Sequence, residues 1–551
     1  MAVTPRPVQT YTTFKQILGG LEETYGDRDL FREADGSGGI RATSAREFHD
    51  MVCGLGATFD TLGLLDGKVG LLCDTSVKWI AAYFAQVCGG GVIVPIDEKL
   101  PPADIRSVIE ESGVEALVFS PSTADIIREI LPLTEVRYFI PTEGEYDNLK
   151  VFPFDSLVQA GLEAASAYLK RDTGSRELAA IVFTAGTTGA PKGVKLSREN
   201  IAAAASSALS LLEIGDTCLS MLPVHRADAL TLGVIMMLCN GTTVCLGGSQ
   251  KVREAISLFA PETVLLEPRQ VEKMRRRILK QGGEDLRSRM RQSAGRLAKG
   301  DDRRESMFED VRSQQGGNLQ HILCSGGHLP AEYAQTFDSL GFDFVECYGM
   351  TECAPLVSVN LSRDGEYGSI GLPIPCCEIQ LADFNDEDGE GEICVKGANV
   401  MVGYYQDPEA TEAAVRDGWF HTGDLGYMDD RGYLYLTGRK TDLIALSSGH
   451  HVHPEDLEGQ LAEHPLIEEV IIYSPQEADG SYQRLAAEIY MSETPAAGAA
   501  AEVQRGKIQS VIDDLNGRVA PHEQIAEFRL RDKPFAKTTR KAIQRFRRLE
   551  Q

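Results

Sequence analysis

The sequence predicts an α/β protein: a large N-terminal domain of α/β layers, a small β-rich part, and a separate small α+β domain at the C-terminus. Short β-rich runs at residues 67–73, 91–96 and 115–120 alternate with helical patterns such as residues 45–63. Strands that alternate with helices indicate a parallel or mostly parallel sheet. Short strands and turns fill residues 366–437, and further strand-like runs follow residue 442. A boundary near residue 440 therefore separates a C-terminal unit large enough to fold as a small domain.

Length and charge limit the classes of function. The chain has 551 residues, of which 43% are hydrophobic and 25% charged, as is ordinary for a globular protein of more than one domain. Its formal net charge of −26 argues against a nucleic-acid partner, because binding to phosphate backbones needs a basic surface. A local basic site for one anionic ligand is compatible with that charge.

Signals for secretion or membrane insertion are weak. The first 14 residues lack a basic segment followed by an apolar one. Residues 79–96 carry no charge, but three glycines at 89–91 interrupt them, which favours a short buried helix, a turn and a buried strand over a membrane span. The 12 cysteines show no C-x-x-C spacing and are expected to be reduced core residues. We therefore expect a cytoplasmic protein without a membrane span.

The stretch FTAGTTGAPKGV, residues 183–194, has the chemistry of a phosphate-binding loop. Glycines allow close backbone approach, and hydroxyls, N–H groups and a lysine supply donors. It follows a predicted strand at residues 178–185 and precedes a predicted helix whose N-cap is Ser197. The P-loop template fails, because Pro191 stands where its second glycine is needed and Gly193 follows Lys192.

Six segments in order carry a resemblance to a known family. They are FTAGTTGAPKGV (183–194), SGGHLP (325–330), ECYGMTE (346–352), TGD (422–424), GRKTD (438–442) and PFAKTTRK (534–541). Together they resemble the adenylate-forming, or AMP-binding, superfamily, most of all its bacterial long-chain fatty-acid CoA ligase branch. The resemblance covers nearly the whole chain. It implies an N-terminal AMP-binding domain at residues 1–437, a hinge at 438–442 and a mobile C-terminal domain at 443–551.

The resemblance also implies a reaction. A carboxylic acid, expected to be fatty or otherwise apolar, would attack the α-phosphate of ATP with the help of Mg²⁺, and the thiol of CoA would then displace AMP. Two alternatives stay open. The acceptor could be the phosphopantetheine arm of an acyl carrier protein, or the chain could be a non-catalytic adenylate-binding protein.

Residue roles follow from the matched motifs alone. The resemblance places the β- and γ-phosphates of ATP against Thr184, Gly186, Thr187, Thr188, Gly189 and Lys192. Gly326 and Gly327 would line one face of adenine, and Tyr348 would stack on the other. Thr351 would bond the α-phosphate, and Glu352 would hold Mg²⁺, which prefers carboxylate oxygens. Asp424 would accept from the ribose hydroxyls, and Arg439 would reach the ribose or a phosphate.

The remaining roles concern the acid and the C-terminal domain. Lys541 would be the catalytic lysine, with Lys537 as the alternative because Arg540 stands where the family has glycine. His225 and Arg226 would lie beside the acyl pocket, where amino-acid-activating members carry Phe-Asp, so an amino acid is a poor substrate. Arg226 could pair a second anionic group on the acid or could face outward from the surface.

Other features stay open or depart from the family pattern. Ala185 replaces a serine of the phosphate loop, and Thr441 replaces the usual hinge residue. The histidines of GHHVHP (449–454) are more simply explained without a metal. The apolar run at 229–246 could be sheet core or pocket wall.

Overall fold

A computed structural model gives the architecture of most of the chain. It describes residues 8–146, 151–184, 192–248, 250–297, 299–327, 329–361, 366–384, 389–447, 451–475, 482–491, 499–537, 543 and 545. Five predicted site residues lie outside the described residues: Gly186, Thr187, Thr188, Gly189 and Lys541.

The first part of the chain alternates strands with helices as its sequence pattern predicts. Its elements are α1 (Phe14–Tyr25), β1 (Asp29–Ala34), β2 (Ile40–Ser44), α2 (Ala45–Thr61), β3 (Lys68–Leu72), α3 (Val77–Gly89), β4 (Val92–Pro95), α4 (Pro102–Ser112), β5 (Ala116–Phe119), α5 (Ala124–Ile130), β6 (Tyr138–Pro141), α6 (Phe154–Gly161), α7 (Ala165–Leu169), β7 (Leu178–Thr184), β8 (Lys192–Ser197) and α8 (Arg198–Ala208).

A second α/β round follows. Its elements are β9 (Thr217–Ser220), α9 (Ala227–Leu230), which continues through a π-helical turn into α10 (Met236–Asn240), β10 (Thr243–Leu246), α11 (Val252–Phe259), β11 (Thr263–Leu266), α12 (Pro268–Leu297), α13 (Arg304–Met307), α14 (Glu309–Gln314), β12 (His321–Ser325), α15 (Ala331–Ser339), β13 (Asp343–Tyr348), β14 (Ser358–Leu361) and β15 (Leu372–Pro373).

The β-rich part and the C-terminal unit complete the chain. They comprise β16 (Cys377–Ala382), β17 (Gly391–Gly397), β18 (Gly403–Tyr404), α16 (Pro408–Ala414), β19 (Val415–Arg416), β20 (Trp419–Met428), β21 (Leu434–Arg439), β22 (Ile444–Ala445), β23 (His451–Val452), α17 (Pro454–Ala462), β24 (Ile467–Tyr473), β25 (Leu485–Met491), α18 (Ala499–Asn516) and β26 (Ile525–Arg531).

Local sequence signals set several of these boundaries. Ser44 and Ser197 cap α2 and α8 in reciprocal capping boxes with Glu47 and Asn200. Gly90, at φ 104°, ends α3 in a left-handed conformation that glycine adopts without strain. The uncharged stretch at 79–96 is thus a buried helix, a turn and a strand, as predicted. Within the described part of the chain, we find no helix that combines the length and apolarity needed to cross a membrane.

Two large sheets position the ligand-binding loops. The nine-stranded sheet has the order β15-β14-β13-β12-β11-β9-β10-β1-β2, with β13, β12, β11, β9, β10 and β1 parallel. The seven-stranded sheet has the order β18-β8-β7-β4-β3-β5-β6, in which β7, β4, β3, β5 and β6 run parallel. Buried apolar side chains of both sheets and their covering helices form the main cores.

The β-rich part and the C-terminal unit have smaller sheets. β16, β17, β20, β19 and β21 form one sheet, and β24, β25 and β26 form another. A further hydrophobic cluster lies wholly between Leu446 and Phe528. A core of its own is what an independent domain needs. The proposed division at 437, 438–442 and 443 stays a prediction.

Candidate active site

The carboxyl ends of four neighbouring strands meet at one edge of the nine-stranded sheet. Tyr348 ends β13, Gly326 follows β12, Glu267 follows β11, and Arg226 lies in the loop after β9. These strands run parallel, so residues after their carboxyl ends lie at the same sheet edge, which is the usual ligand position in open α/β sheets. Topology thereby brings together residues that the sequence assigns separately to the adenine and acyl subsites.

Asp424 forms the centre of a polar cluster at this edge. Its Oδ2 accepts a hydrogen bond of 2.7 Å from the Tyr348 hydroxyl, and its Oδ1 lies 3.0 Å from Arg439 Nε. Burial raises the pKa of Asp424 above its usual value, while Arg439 and the Tyr348 hydroxyl oppose that shift. Antiparallel pairing of β20 with β21 sets Asp424 opposite Arg439. Asp424 therefore contacts two other residues predicted to bind ATP, Tyr348 and Arg439.

Arg226 lies against Gly326 and is held by two carboxylates. A Cβ on Gly326, whose φ is 95°, would meet Arg226 Nη2 at 2.6 Å. Arg226 Nε donates to Asp228 Oδ1 at 3.0 Å, Nη2 contacts Asp228 Oδ2, and Nη1 lies 3.5 Å from Glu267 Oε2. Burial opposes ionisation, but the two carboxylates hold the pKa of Arg226 above its usual value. The alternative that Arg226 faces outward is wrong, because only 10% of its side chain is exposed.

His225 joins the two large sheets. Its Nδ1 lies 3.1 Å from Glu98 Oε2, and its Nε2 lies 3.7 Å from Asp97 Oδ1. Asp97 and Glu98 follow β4 of the seven-stranded sheet, whereas His225 follows β9. The three side chains are close enough together to suggest a cation site. Direct contacts of the ring with both carboxylates are the simpler interpretation, since the two ring nitrogens face different carboxylates and one metal would take only one nitrogen.

The described ends of the phosphate loop lie beside Glu352. Thr184 and Lys192 face each other where β7 pairs with β8, and Thr184 Oγ1 donates to the Lys192 carbonyl at 3.3 Å. Lys192 Nζ lies 5.0 Å from the centre of the Tyr404 ring. The Tyr404 hydroxyl donates to Glu352 Oε1 at 3.0 Å. One tyrosine thus contacts both a predicted phosphate ligand and the predicted Mg²⁺ ligand.

Thr351 and Gly327 are the remaining predicted nucleotide-binding residues that the structure describes. Thr351 begins the short turn that follows β13, is 6% exposed and immediately precedes Glu352. Gly327 lies against Pro268, whose Cγ would be 3.3 Å from an added Cβ. Both stand at the same sheet edge as Tyr348, where the sequence predicts the α-phosphate and adenine.

Two predictions concern the C-terminal unit. Lys537, the alternative catalytic lysine, pairs with Glu469, whose other oxygen accepts from the Phe535 N–H at 2.8 Å. This ammonium is engaged inside its own unit. Of the histidine-rich segment, His453 contacts Glu390 through Nε2 at 3.2 Å, and residues 449 and 450 lie outside the described residues.

Sequence reasoning missed several polar side chains at this edge. Asp228 and Glu267 hold Arg226, and Tyr404 bridges Lys192 and Glu352. The position of Glu267 directly after β11 was a usable signal, because every neighbouring strand end carries a predicted site residue. Tyr404 offered no such signal, since its partners stand 212 and 52 residues away in the sequence.

Comparison with known proteins identifies the family. The model of the AMP-binding enzyme family matches residues 22–405, and that of the AMP-binding enzyme C-terminal domain matches residues 441–551. The chain belongs to the AMP-binding enzyme family. The resemblance drawn from the six segments and the prediction of an AMP-forming ligase are thereby confirmed.

AMP-binding enzymes of known sequence and structure are similar along most of this chain. The long-chain-fatty-acid–CoA ligase of Salmonella typhimurium strain LT2 is 29% identical over 448 residues, covering 74% of each protein. The structure of the anthranilate CoA ligase AuaEII with anthranoyl-AMP covers 98% of this chain and 97% of its own at 19% identity, with a TM-score of 0.77. The structure of O-succinylbenzoate coenzyme A synthetase from Bacillus subtilis with ATP and a magnesium ion covers 97% of this chain and 99% of its own. The identity is 21% and the TM-score is 0.73. The predicted fold class is confirmed.

Proposed function

We propose that this AMP-binding enzyme is an acid–CoA ligase that activates a fatty or other apolar carboxylic acid as its acyl-adenylate. The observation that carries the proposal is the contact of Asp424 with both Tyr348 and Arg439 at the carboxyl edge of the sheet. A buried carboxylate there is suited to accept hydrogen bonds from ribose hydroxyls. The name of the Salmonella relative supports an aliphatic acid and CoA as substrates.

The reaction would proceed in two steps. A carboxylate oxygen of the acid attacks the α-phosphorus of ATP, and the bond to pyrophosphate breaks. The CoA sulfur then attacks the acyl carbonyl carbon, AMP leaves with the former carboxylate oxygen, and the thiol proton passes to solvent. Both steps depend on positioning and on stabilising charge at phosphate.

Residues of this chain have proposed roles in the first step. Thr184 and Lys192, with Gly186, Thr187, Thr188 and Gly189, would hold the β- and γ-phosphates. Glu352 fits a Mg²⁺ ligand by donor chemistry, because it offers carboxylate oxygens and side-chain hydrogen bonds among the described residues engage only its Oε1, with Tyr404. Mg²⁺ would supply neutralisation of phosphate charge. Lys541 would stabilise the α-phosphate during attack.

The predicted acyl side combines polar side chains with apolar elements. The largely buried polar side chains of Arg226, Asp228 and His225 belong to the predicted acyl side, and the apolar run at 229–246 forms the buried end of α9, its π-turn, α10 and β10. A π-helical turn inside a helix often marks a functional site.

Pyrophosphate release tests the proposal. Mg-ATP is incubated with aliphatic acids of graded length, aryl acids, dicarboxylic acids and amino acids, each with and without CoA. We expect acid-dependent release with at least one apolar acid, and thioester formation when CoA is present. Release without thioester would favour a carrier-protein arm as acceptor, to be checked with phosphopantetheine. No release with any acid, together with intact AMP binding, would favour a non-catalytic adenylate-binding protein.

A further inference from the structure

Residues 401–405 connect the two halves of the proposed phosphate site. Tyr404 pairs with Val194 where β18 lies antiparallel to β8, and the Tyr405 N–H donates to the Gly193 carbonyl at 2.6 Å. At the other end of the segment, the Met401 N–H donates to the Glu352 carbonyl at 2.8 Å. Backbone hydrogen bonds therefore tie this segment both to the strand leaving the phosphate loop and to the turn that carries Glu352.

The side chain of Tyr404 repeats this connection. Its hydroxyl donates to Glu352 Oε1 at 3.0 Å, and Lys192 Nζ lies 5.0 Å from its ring centre. Burial raises the pKa of Tyr404, and the charge of Glu352 raises it further, so the hydroxyl stays a donor at neutral pH. The ring face attracts the ammonium by a cation–π interaction.

The backbone fixes this tyrosine in place. The Tyr404 N–H donates to Thr411 Oγ1 at 2.9 Å, and Thr411 in turn contacts α16's N-cap residue Asp407. Gly403 has a φ of 141°, and a Cβ there would meet Thr411 at 2.7 Å, so the close approach requires glycine. Because hydrogen bonds fix the backbone of Tyr404, its ring can orient flexible side chains such as Glu352 and Lys192.

We propose that Tyr404 is a positioning residue for the magnesium–triphosphate end of ATP. It orients the Glu352 carboxylate through its hydroxyl and holds the Lys192 ammonium beside that carboxylate through its ring. The inference rests on the proposed function, because it takes Glu352 and Lys192 as ligands of Mg²⁺ and phosphate. It predicts that Tyr404 acts on ligands with β- and γ-phosphates and not on AMP.

Two variants distinguish the contribution of the Tyr404 hydroxyl from that of its ring. Tyr404→Phe removes only the hydroxyl, and Tyr404→Leu removes the ring as well. Tyr405→Phe is the matched control, because the hydroxyl of that neighbouring tyrosine bonds the Ser112 carbonyl at 3.4 Å, away from both partners. Thermal melting of each apo protein checks that it is folded.

The measurement is equilibrium binding by calorimetry, without turnover. ATP binding is followed across a Mg²⁺ titration, and AMP binding is followed without metal. Loss of a side chain that orients a metal ligand typically weakens metal binding by about 10–100-fold, so we expect Tyr404→Phe to need roughly tenfold more Mg²⁺ for half-maximal ATP binding. Tyr404→Leu should bind ATP more weakly still at saturating Mg²⁺, because Lys192 loses its support. AMP affinity should stay within about twofold in all variants.

A double-mutant cycle localises the effect. In a Glu352→Gln background, Tyr404→Phe should change the Mg²⁺ requirement by less than about twofold, since the oriented carboxylate is already gone. A Mg²⁺ requirement of Tyr404→Phe equal to that of the unaltered protein would overturn the inference. So would an equal loss of AMP and ATP affinity, which indicates a structural role. If the unaltered protein binds ATP without any dependence on Mg²⁺, the inference fails, whereas the proposed function is decided separately by acid-dependent pyrophosphate release.

Discussion

At the scale of single residues, Arg226 shows how the partners of a side chain limit which ligand groups it can bind. Its Nε and Nη2 donate to the two oxygens of Asp228, and its Nη1 lies 3.5 Å from Glu267 Oε2. A second anionic group on the acid would have to replace Glu267, because Asp228 is already bound through both of its oxygens. Dicarboxylic acids therefore compete with a group of the protein itself.

We expect Arg226→Met to destabilise the protein strongly. Breaking a buried ion pair costs about 3–5 kcal/mol in free energy of unfolding, and Asp228, which is 5% exposed, would lose the guanidinium that contacts both of its oxygens. The double variant Arg226→Met with Asp228→Asn should lose distinctly less, because no buried charge remains. Chemical denaturation followed by tryptophan fluorescence measures both. A double variant as unstable as the single one would show that packing, and not charge, is what Arg226 supplies.

At the scale of elements, strand β17 shows how one side chain of a sheet can contact both a loop and the predicted hinge. Glu392, in β17, accepts from the Gly423 N–H at 3.2 Å, from His421 Nδ1 at 3.1 Å and from Lys440 Nζ at 2.8 Å. Burial alone would raise the pKa of Glu392, but Lys440 and His421 outweigh it and lower the pKa. Gly423 directly precedes Asp424, and Lys440 directly follows Arg439. The Glu392 carboxylate therefore contacts a sequence neighbour of each of these two predicted ribose-binding residues.

We expect Glu392→Gln to destabilise the β-rich part. Hydrogen bonds to a charged group contribute about 1.5–3 kcal/mol each, and the amide would lose the charge that pairs with Lys440 and His421. Because the folded pKa of Glu392 is lowered, its stabilisation is present above the usual pKa of a carboxyl and is lost as the pH falls below about 4.3. The melting temperature of the variant should therefore depend less on pH than that of the unaltered protein over pH 3–5.

Asp383→Asn supplies the control for that prediction. Asp383 Oδ2 accepts from the same Lys440 Nζ at 2.8 Å, but the side chain of Asp383 is 73% exposed. Exposed ion pairs contribute about 0–1 kcal/mol, so this variant should melt within a few degrees of the unaltered protein. Equal losses in the two variants would contradict the importance assigned to burial at Glu392.

The whole molecule combines an AMP-binding part with a C-terminal unit that has its own core. The family resemblance places the catalytic lysine, Lys541, in that second unit. If the unit contributes to adenylation and then withdraws, its lysine matters for one half-reaction only.

We expect Lys541→Ala to slow acid-dependent pyrophosphate release by about 10²–10³-fold, the usual cost of losing one group that stabilises charge in a transition state. Conversion of supplied acyl-adenylate and CoA to thioester should stay largely intact. Lys537→Ala is the matched control, since its ammonium pairs with Glu469. Equal loss of both half-reactions in Lys541→Ala would indicate a structural lysine, and a selective loss in Lys537→Ala would show that the alignment across Arg540 is wrong.

Cysteine chemistry is a second property of the whole fold. All 12 cysteines are free thiols, and 10 of them are buried. Burial raises the pKa of Cys53, Cys245, Cys347 and Cys377 to about 12. We expect slow alkylation of the native protein at pH 8 and labelling of all 12 thiols after denaturation, counted by mass spectrometry.

The same pKa shifts predict alkaline instability. A thiol whose folded pKa is raised adds stability that is complete below its unfolded pKa of about 8.5 and is lost as the pH rises towards the folded value. The melting temperature should therefore fall between about pH 9 and 12. Fast labelling of several thiols in the native protein would contradict the buried arrangement.

The sequence by itself determined the α/β layering and the family, because both depend on local patterns. Alternating strands and helices, capping residues such as Ser197, and six ordered motifs can be read along the chain without knowledge of long-range contacts. The family resemblance also predicted Tyr348, Asp424 and Arg439 as parts of one site, and in the fold both Tyr348 and Arg439 contact Asp424.

Only the tertiary structure decided which polar side chains face one another. Glu267 faces Arg226, Glu98 faces His225, and Tyr404 joins Lys192 to Glu352, although nothing in the local pattern marks these pairs. The order of parallel strands sets side chains from distant segments at one sheet edge, and that order depends on packing across the whole sheet. A short segment of sequence specifies its own backbone well, but the electrostatic surroundings of a buried side chain come from residues far away in the chain.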